Sequence, residues 1–577
     1  MSSDALFGWQ GRILRVDLSS GKIEENALES ADRENFLGGR GIGVKWVYDH
    51  GMVEALSPQN LLVFAAGPLT GTGALTSGRA AAVSKSPLTG TICSSNAGGS
   101  FGVHLKRSGI DAIVIEGNSS EPVWLEISDG RPALRSARGL WGRNTRYVFD
   151  ALKHFKAVLC IGRAGENRVL LSSIMHNRSH AFGRGGLGAV MGAKRLKAIA
   201  VSGKDAVRIA DRVEFALRQK NLSKILLASP VLKSFSSLGT PSLLKVLDWA
   251  GILPVSNFRK CGFAGADEIS AESLKRLHPS KSRACISCPV GCKKETLNGS
   301  SLPEYETIAM FGSNHENADL CTIIELNRLC NDYGLDTVST GSTLACFSEA
   351  ENRKPGTEEL CELVKNIGES EGIGVVLGQG SLRYSLSRNK KAASVAVKGL
   401  ETPAYDPRGA YGLGLAYGTA NRGGCHLGAY MIAPEILRKP KALRPLTFSG
   451  KASYLAVLQN TFAAVDSLIV CKFAYVAAGQ EEYANLLSAV TGESFAADDL
   501  TRIGERIWTL ERLYNLREGF QRIDDYLPER FYEEAENHKG IDRAEYDDAL
   551  SEYYSHRGWN NEGIPEKAKL KELGLED

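Results

Sequence analysis

The chain has 577 residues, 43% of them hydrophobic and 23% charged, with a formal net charge of +3. That length exceeds what one core can organise, so several domains are expected, and the composition is that of a soluble globular protein. A near-neutral balance without a long basic run gives nucleic-acid binding no electrostatic support.

No basic n-region followed by an apolar stretch opens the sequence, and apolar runs such as residues 61–66 are far too short to cross a bilayer. A cytoplasmic protein with no membrane partner is expected. Its twelve cysteines then read as mostly free or metal-bound thiols of a reducing compartment.

From Gly11 to about Gly203 the pattern favours strands. Arg12-Ile-Leu-Arg-Val-Asp-Leu alternates apolar and polar, and Ser19-Ser20-Gly21-Lys22 turns it into a second strand. Further strands are expected at 61–65, 80–84, 112–116, 123–127, 157–161, 169–174 and 198–202. Glycine clusters separate them: Gly38-Gly39-Arg40-Gly41, Gly67 to Gly73, Gly98-Gly99 and Gly183-Arg184-Gly185-Gly186-Leu187-Gly188. So many glycines between strands imply backbone packed closely around something. Gly183, Gly185 and Gly188 match G-x-G-x-x-G, but the preceding His176-Asn-Arg-Ser-His-Ala-Phe is polar and strand-poor. A nicotinamide site is therefore disfavoured, although exposed N–H groups beside Arg184 could hold another phosphate. Arg79 and Asn96 fall in small-residue segments read as loops.

After about Asp205 the apolar spacing becomes helical, over 213–228, 242–250, 320–331, 357–368, 454–471, 481–491 and 498–518. Asp319 caps one helix start and Gly334 one helix end. The charged tail from about 533 is expected to wrap the surface.

The densest chemical signal is Cys285-Ile-Ser-Cys288-Pro-Val-Gly-Cys292. Structural zinc takes paired ligands, whereas an iron–sulfur cubane needs four thiolates, one of which can be remote. The odd count favours the cluster over zinc or unliganded thiols. Lys293 and Lys294 read either as electrostatic partners of the thiolates or as two solvated lysines. Three further polar groupings, Glu304-Tyr-Glu306, Asp332-Tyr-Gly334-Leu335-Asp336 and Arg422-Gly-Gly-Cys425-His426, each carry a bland reading as helix caps or satisfied side chains. A Cys425–His426 dyad is disfavoured because neighbouring side chains on extended backbone point opposite ways.

Taken together, the chain resembles the tungsten-containing aldehyde:ferredoxin oxidoreductase family, almost end to end. The resemblance rests on Gly67-Pro-Leu-Thr-Gly-Thr, Lys85-Ser-Pro-Leu-Thr-Gly, Gly183-Arg-Gly-Gly-Leu-Gly-Ala-Val-Met-Gly, the cysteine motif, Pro303-Glu-Tyr-Glu-Thr, Pro403-Ala-Tyr-Asp-Pro-Arg-Gly, Asn421-Arg-Gly-Gly-Cys-His and Ile503-Gly-Glu-Arg-Ile-Trp. It implies an α+β fold: a glycine-rich β-sheet base domain over 1–205, then two mainly helical domains over 206–400 and 401–577, with the cofactor at their junction.

The implied reaction oxidises an aldehyde to the carboxylate at a tungsten (or molybdenum) bis-pterin centre and passes electrons through a 4Fe-4S cluster to ferredoxin or an iron–sulfur subunit. Cys471 matches the family's fourth cluster cysteine, a choice that spacing alone leaves open among Cys321, Cys330, Cys346, Cys361, Cys425 and Cys471. Arg79 would lie between cluster and pterin. Asn96, Gly98, Gly183, Arg184, Gly185 and Gly186 would hold pterin phosphates and a bridging magnesium. Asp336 and Asp466 would accept from pterin N–H groups, with Asn331 and Leu335 in the same segment. Glu306 would act as general base, and His426 would hydrogen-bond the reacting oxygen.

The sequence departs from the family pattern in three places. Asn331 stands where the family has aspartate. Ile469 stands where a glycine would supply positive φ, so the loop before Cys471 is expected to be rebuilt. Glu325-Leu-Asn-Arg328 lacks the histidine of the inter-subunit iron site, so that metal is not implied, although a homo- or hetero-oligomer is compatible. Two competing readings remain: a tungsten-dependent reductase of an activated carboxylate or aromatic ring, like benzoyl-coenzyme A reductase catalytic subunits, and a non-catalytic iron–sulfur electron-transfer subunit.

Overall fold

A computed structural model describes residues 6–536 and 538–576. The first sheet contains β1 (Arg12–Asp17), β2 (Lys22–Ala27), β3 (Leu62–Ala65), β4 (Arg79–Lys85), β5 (Ile92–Gly98) and β6 (Ala112–Glu116) in the order β2-β1-β6-β3-β4-β5. Only β1 and β6 pair in parallel. The second contains β7 (Val123–Ser128), β8 (Arg131–Ser136), β9 (Ala157–Cys160), β10 (Ile174–His176), β11 (His180–Phe182) and β12 (Leu196–Ser202), in the order β11-β10-β9-β12-β7-β8. Here only β7 and β12 are parallel.

The period-two alternation of strands explains how the sheets stack. Leu62 and Phe64 share a core with Leu125, Ile127, Leu159, Ile199 and Val201 of the second sheet, while Val63, Ala65 and Val83 join the helical core. The first sheet is thus buried on both faces, which is why β3 is a continuous apolar run. Helix Gly39–His50 covers its outer face along β4.

Several expectations change. Residues 169–173 form turns and a single bridge, not a strand, because Ser172 pairs only with Leu335. The strand-poor stretch 176–182 is the β10–β11 hairpin, its polar residues being spent on a turn and on specific bonds. A strand therefore does run into the Gly183 loop and a helix, Leu187–Ala193, does leave it. Because β11 is an antiparallel edge strand, the surroundings still differ from a dinucleotide fold. Arg79 and Asn96 lie on strands β4 and β5, not in loops, and Gly39-Arg40-Gly41 opens a helix.

Beyond 205 helices dominate, and their starts follow from the sequence. Asp211, Asp319, Asp336 and Asp542 each accept from the first exposed N–H groups of a helix. Helix Lys451–Leu468, buried along most of its length, packs against Ala497–Arg517 and Arg543–His556. It stops at Leu468, short of the expected Cys471, because Ile469 turns left-handed at φ 63 and ψ 41. The isoleucine adopts the left-handed conformation that a glycine was expected to supply. The tail is no surface wrap either. Tyr546, Tyr553, Tyr554 and Trp559 are buried in the helical core. Among the described residues no helix is long and apolar enough to cross a membrane.

Candidate active site

The cysteine motif is the loop of a hairpin whose strands, Ser280–Arg283 and Lys293–Thr296, pair with Arg283 opposite Lys293. Ser287 and Gly291 take positive φ, which folds the three thiols to one side. The β domain then anchors the loop: Ile286 N–H donates to the Gly99 carbonyl (3.1 Å) and Thr76 N–H to the Ser287 carbonyl (2.8 Å). The Thr76 carbonyl in turn accepts from Cys471 N–H at 3.0 Å. One residue of a β-domain loop thereby couples the remote fourth cysteine to the other three. At Gly98 a side chain is excluded, since a Cβ would sit 2.6 Å from Cys285 Sγ and 3.0 Å from an Arg79 nitrogen.

All four cysteines line one cavity of about 390 Å³. Burial pushes the Cys288 thiol up to about 11 and raises Cys292 as well, so a cationic centre is needed before these groups become thiolates. Among the described residues no three His, Cys, Asp or Glu side chains gather tightly enough to hold a single ion. Four thiols on one cavity wall make a donor set that fits an iron–sulfur cubane.

Lys293 and Lys294 are not solvated. Lys293 pairs with Glu304 at 2.7 Å, and Lys294 is buried on the Ser236 carbonyl and Ser282 hydroxyl.

The cavity continues past Arg79, which donates from Nε to Asn96 Oδ1 (2.5 Å) and from Nη2 to the Asn96 carbonyl (3.1 Å). Burial opposes its charge, and Cys471, Cys285 and Asp466 hold it in place. Asp466, near the end of helix Lys451–Leu468, accepts from Lys472 (2.7 Å) and Arg40 (3.4 Å), while Arg40 forks onto Glu511 at 2.6 and 2.7 Å. Asp336 spends its two oxygens on Val338 N–H, Ser339 N–H and Arg184 Nε. Arg184 also donates to the carbonyls of Gly424 and Glu401, tying the β domain to the later segments.

On the far side stands Glu306, in the first turn of helix Tyr305–Phe311. Its Oε2 accepts from Ala404 N–H at 2.9 Å, and its Oε1 lies 3.5 Å from His426 Nε2. Burial raises the carboxyl to about 7 and holds the imidazole well below its usual value. Glu306 is therefore poised near neutrality and His426 is neutral. Tyr405 and Tyr430 flank the imidazole with ring centroids at 5.2 and 5.8 Å. Glu306 Oε1 and His426 Nδ1 are buried without a hydrogen-bond partner, as is Asn96 Nδ2. Such orphaned groups are costly unless something else in the cavity engages them.

Of the residues singled out from sequence, Arg79, Asn96, Gly98, Gly183, Arg184, Asn331, Leu335, Asp336, Asp466, Glu306, His426 and the four cysteines all line this cavity. Gly185 and Gly186 do not. They press against Cys93 and the Leu170 carbonyl, where a side chain would clash at 2.3 and 2.5 Å.

Sequence reasoning missed Arg40, Arg422, Lys472, Glu511 and His180. Arg422 contacts buried Cys425 at 2.9 Å. Burial alone would raise that thiol, but the guanidinium overrides it and holds it below the usual range. His180 Nε2 lies 3.6 Å from Cys285 Sγ, with Ser179 Oγ 3.2 Å from its Nδ1. Arg40, Arg422 and Lys472 stand beside glycines or a cysteine already noted, whereas nothing local marks Glu511 or His180. At the position of the expected departure, Arg328 pairs with Glu325 (2.5 Å) and Asp332 (2.6 Å) on an exposed helix face.

Five cations, the buried Arg40 and Arg184 and the half-buried Arg79, Arg422 and Lys472, surround this space. Together with the orphaned donors and the ring of thiols, they fit a phosphate-bearing cofactor beside a cluster.

Comparison with known proteins agrees with that chemistry. The family model for the aldehyde ferredoxin oxidoreductase N-terminal domain matches residues 13–203, and the model for domains 2 and 3 matches 218–575. The tungsten-containing aldehyde ferredoxin oxidoreductase of Pyrococcus furiosus is 39% identical over 99% of both chains, and that of Thermococcus kodakarensis is equally similar over the same share. An aliphatic sulfonate oxidoreductase WOR-like subunit of P. furiosus is 28% identical over 99% of this chain and 97% of its own. Among solved structures, the active-site complex BamBC of benzoyl-coenzyme A reductase, with bound 1,5-dienoyl-CoA, superposes with a TM-score of 0.85. It is 25% identical, covering 99% of this chain and 98% of its own.

Proposed function

Because the chain belongs to the aldehyde ferredoxin oxidoreductase family, we propose that it oxidises an aldehyde to a carboxylate with oxygen from water, releasing two electrons and three protons, in the cavity between Glu306 and the cysteine ring. The observation that carries this reading is the Glu306–His426 pair, two buried titratable groups 3.5 Å apart that leave Glu306 Oε1 and His426 Nδ1 without a hydrogen-bond partner.

The cofactor this reading requires is a tungsten (or molybdenum) bis-pterin. When bound, it supplies an oxophilic Lewis acid able to accept two electrons. Arg79, Asn96, Gly98, Gly183, Arg184 and Arg422 would hold it through its phosphates and ring atoms, with magnesium between the phosphates. Asp336 and Asp466 would accept from its N–H groups, each through lone pairs its protein partners leave open. Cys285, Cys288, Cys292 and Cys471 would hold a 4Fe-4S cluster, from which a ferredoxin-like carrier takes electrons singly.

The protein's own contribution lies at Glu306 and His426. With a pKa near 7, Glu306 is half ionised at neutral pH and can accept the proton lost as the carbonyl carbon is oxidised. Neutral His426 keeps one ring N–H to donate to the oxygen on which negative charge builds, and Tyr405 and Tyr430 keep water from that ring. Glu306→Gln should retain tungsten and iron while acid formation from simple aldehydes, followed with a viologen dye, falls by about 10²–10⁴. Undiminished turnover would remove Glu306 from the reaction.

A second reading, reduction of an activated carboxylate or aromatic ring, draws support from the likeness to the benzoyl-coenzyme A reductase complex. Oxidation of a dienoyl-coenzyme A by the holoenzyme, with simple aldehydes inert, would favour it.

A further inference from the structure

The chain's charge is not spread evenly. Between Arg212 and Glu295 stand fourteen Lys and Arg against six Asp and Glu, a net of +8 in a chain whose whole net charge is +3. The rest of the molecule is therefore acidic, and the basic segment is the one that carries the cysteine motif. The same segment is unusually apolar at its surface. Among the described residues, seven of the fifteen large hydrophobic side chains left exposed lie between Val213 and Leu297, with Trp249 at 89% and Val213 at 82% exposure.

Helix Arg212–Ala228 gives these features a geometry. Val213, Leu217, Lys220, Lys224 and Leu227 recur at alternating steps of four and three, so they form one stripe, and all five are exposed. Leu222 and Leu226, on the other side, are buried, and the helix lies against Gln480–Thr491. Among the described residues neither Lys220 nor Lys224 is held in an ion pair.

The helix that carries the stripe is tied to the segment that anchors the cysteines. Gln219, on the same helix, bonds Leu75 N–H (2.9 Å) and the Gly73 carbonyl (2.7 Å), and Thr76, the next residue along, holds the motif loop and Cys471. The motif hairpin, with exposed Lys281 and Arg283, is fastened through Ser282 to Ser236 on the helix that follows.

A solvent-facing stripe that is both apolar and cationic, set beside the cluster loop, has the composition of a protein interface steered by charge. We infer that this face docks an acidic iron–sulfur protein, which takes electrons from the cluster one at a time, each reduced cluster returning to its oxidised form as the partner's gains one electron. The inference rests on the function proposed above and specifies where its electrons leave. A second copy of this chain is a poor occupant, because a two-fold contact would set the exposed Lys220 and Lys224 against their own copies. Encounters between electron carriers need little buried area, so long-range attraction and a few apolar contacts suffice.

The test uses the holoenzyme, an acidic two-cluster ferredoxin as the probe and methyl viologen as a small acceptor that needs no docking. In K220E/K224E, kcat/KM for the ferredoxin should fall at least tenfold at low ionic strength and lose most of its salt dependence, with viologen-coupled turnover and iron content unchanged. An unaltered ferredoxin rate would overturn the assignment.

Calorimetric binding of the oxidised ferredoxin needs no turnover. If aldehydes prove inert but the ferredoxin binds and the variant does not, the face stands and the proposed reaction falls. No binding by the unaltered holoenzyme at low salt overturns the face. So does a variant whose only change is dissociation of a dimer or release from anionic phosphatidylserine vesicles.

Discussion

The two ends of the cavity are built in opposite ways. At the cysteine end, three of the four thiols come from eight consecutive residues at a hairpin tip, and the fourth is fixed by backbone bonds through Thr76. At the other end, Glu306 and His426 are 120 positions apart in sequence, held by a helix start, the Ala404 N–H and a wall of tyrosines. Local chain geometry makes the first; tertiary packing makes the second. A locally built site is anchored by covalent proximity and tolerates small shifts nearby. A remotely assembled pair depends on burial both for its position and for its acid–base properties.

Substitutions at the two ends should therefore fail differently. The largest effect is expected for Cys471→Ala, which removes the one proposed cluster ligand that the hairpin does not supply. Iron should drop well below about four per chain, and turnover with any acceptor should be lost, as measured by iron analysis and viologen assay. A variant that keeps its full iron content would place the fourth ligand elsewhere.

At the other end, His426→Phe should leave iron and tungsten in place but lower kcat by about 10²–10³, the usual effect of deleting one donor to a developing oxyanion. Metal loss in that variant would erase the contrast between the two ends.

The raised pKa of Glu306 gives two linked readouts. If the ionised carboxylate is the base, kcat/KM should rise with pH through about 7. Stability runs the other way. The folded state keeps the Glu306 proton over the window from about 4.5 to about 7 in which the unfolded chain has lost it, so this residue's contribution is full below 4.5 and is lost as pH rises through 7. Each unit of the shift corresponds to about 1.4 kcal/mol. Glu306→Gln should remove that slope from a plot of Tm against pH, and a slope unchanged by the substitution would refute the assignment.

A smaller effect is expected at His180. A cluster-bound thiolate can only accept, so His180 Nε2–H should donate to Cys285 Sγ. His180→Phe should lower the cluster's midpoint potential in an EPR-monitored titration while leaving iron content unchanged. The smallest effect concerns Ile469. Its left-handed backbone costs about 1–2 kcal/mol, but its buried side chain packs on Gly39. Ile469→Gly should relieve the first and forfeit the second, for a net loss of about 1–2 kcal/mol by denaturant unfolding.

Much of the molecule was legible before folding was considered, wherever a feature repeats locally. The alternation in β1, the apolar run of β3, the helical spacing of 213–228 and the caps at Asp319 and Gly334 all lie where the pattern puts them. The β10–β11 hairpin was missed because its polar residues serve specific partners, His176 accepting from Ser100 N–H and His180 approaching Cys285. The tail was misjudged because aromatic side chains spaced among charges bury only when a groove between helices exists to receive them.

What the sequence determined by itself was the strand-then-helix order and the three-cysteine loop, since periodicity, turn chemistry and motif spacing act within a few residues; the remoter cavity residues were reached only through the family resemblance. Which residues meet was decided only by the tertiary structure. Glu306 facing His426, Cys471 joining the ring through Thr76 and Ile469 held left-handed against Gly39 all require the two sheets and the helical core to be packed first. Burial set by remote chain segments, and not any local pattern, moves the Glu306 carboxyl to about 7 and leaves its second oxygen waiting for a partner.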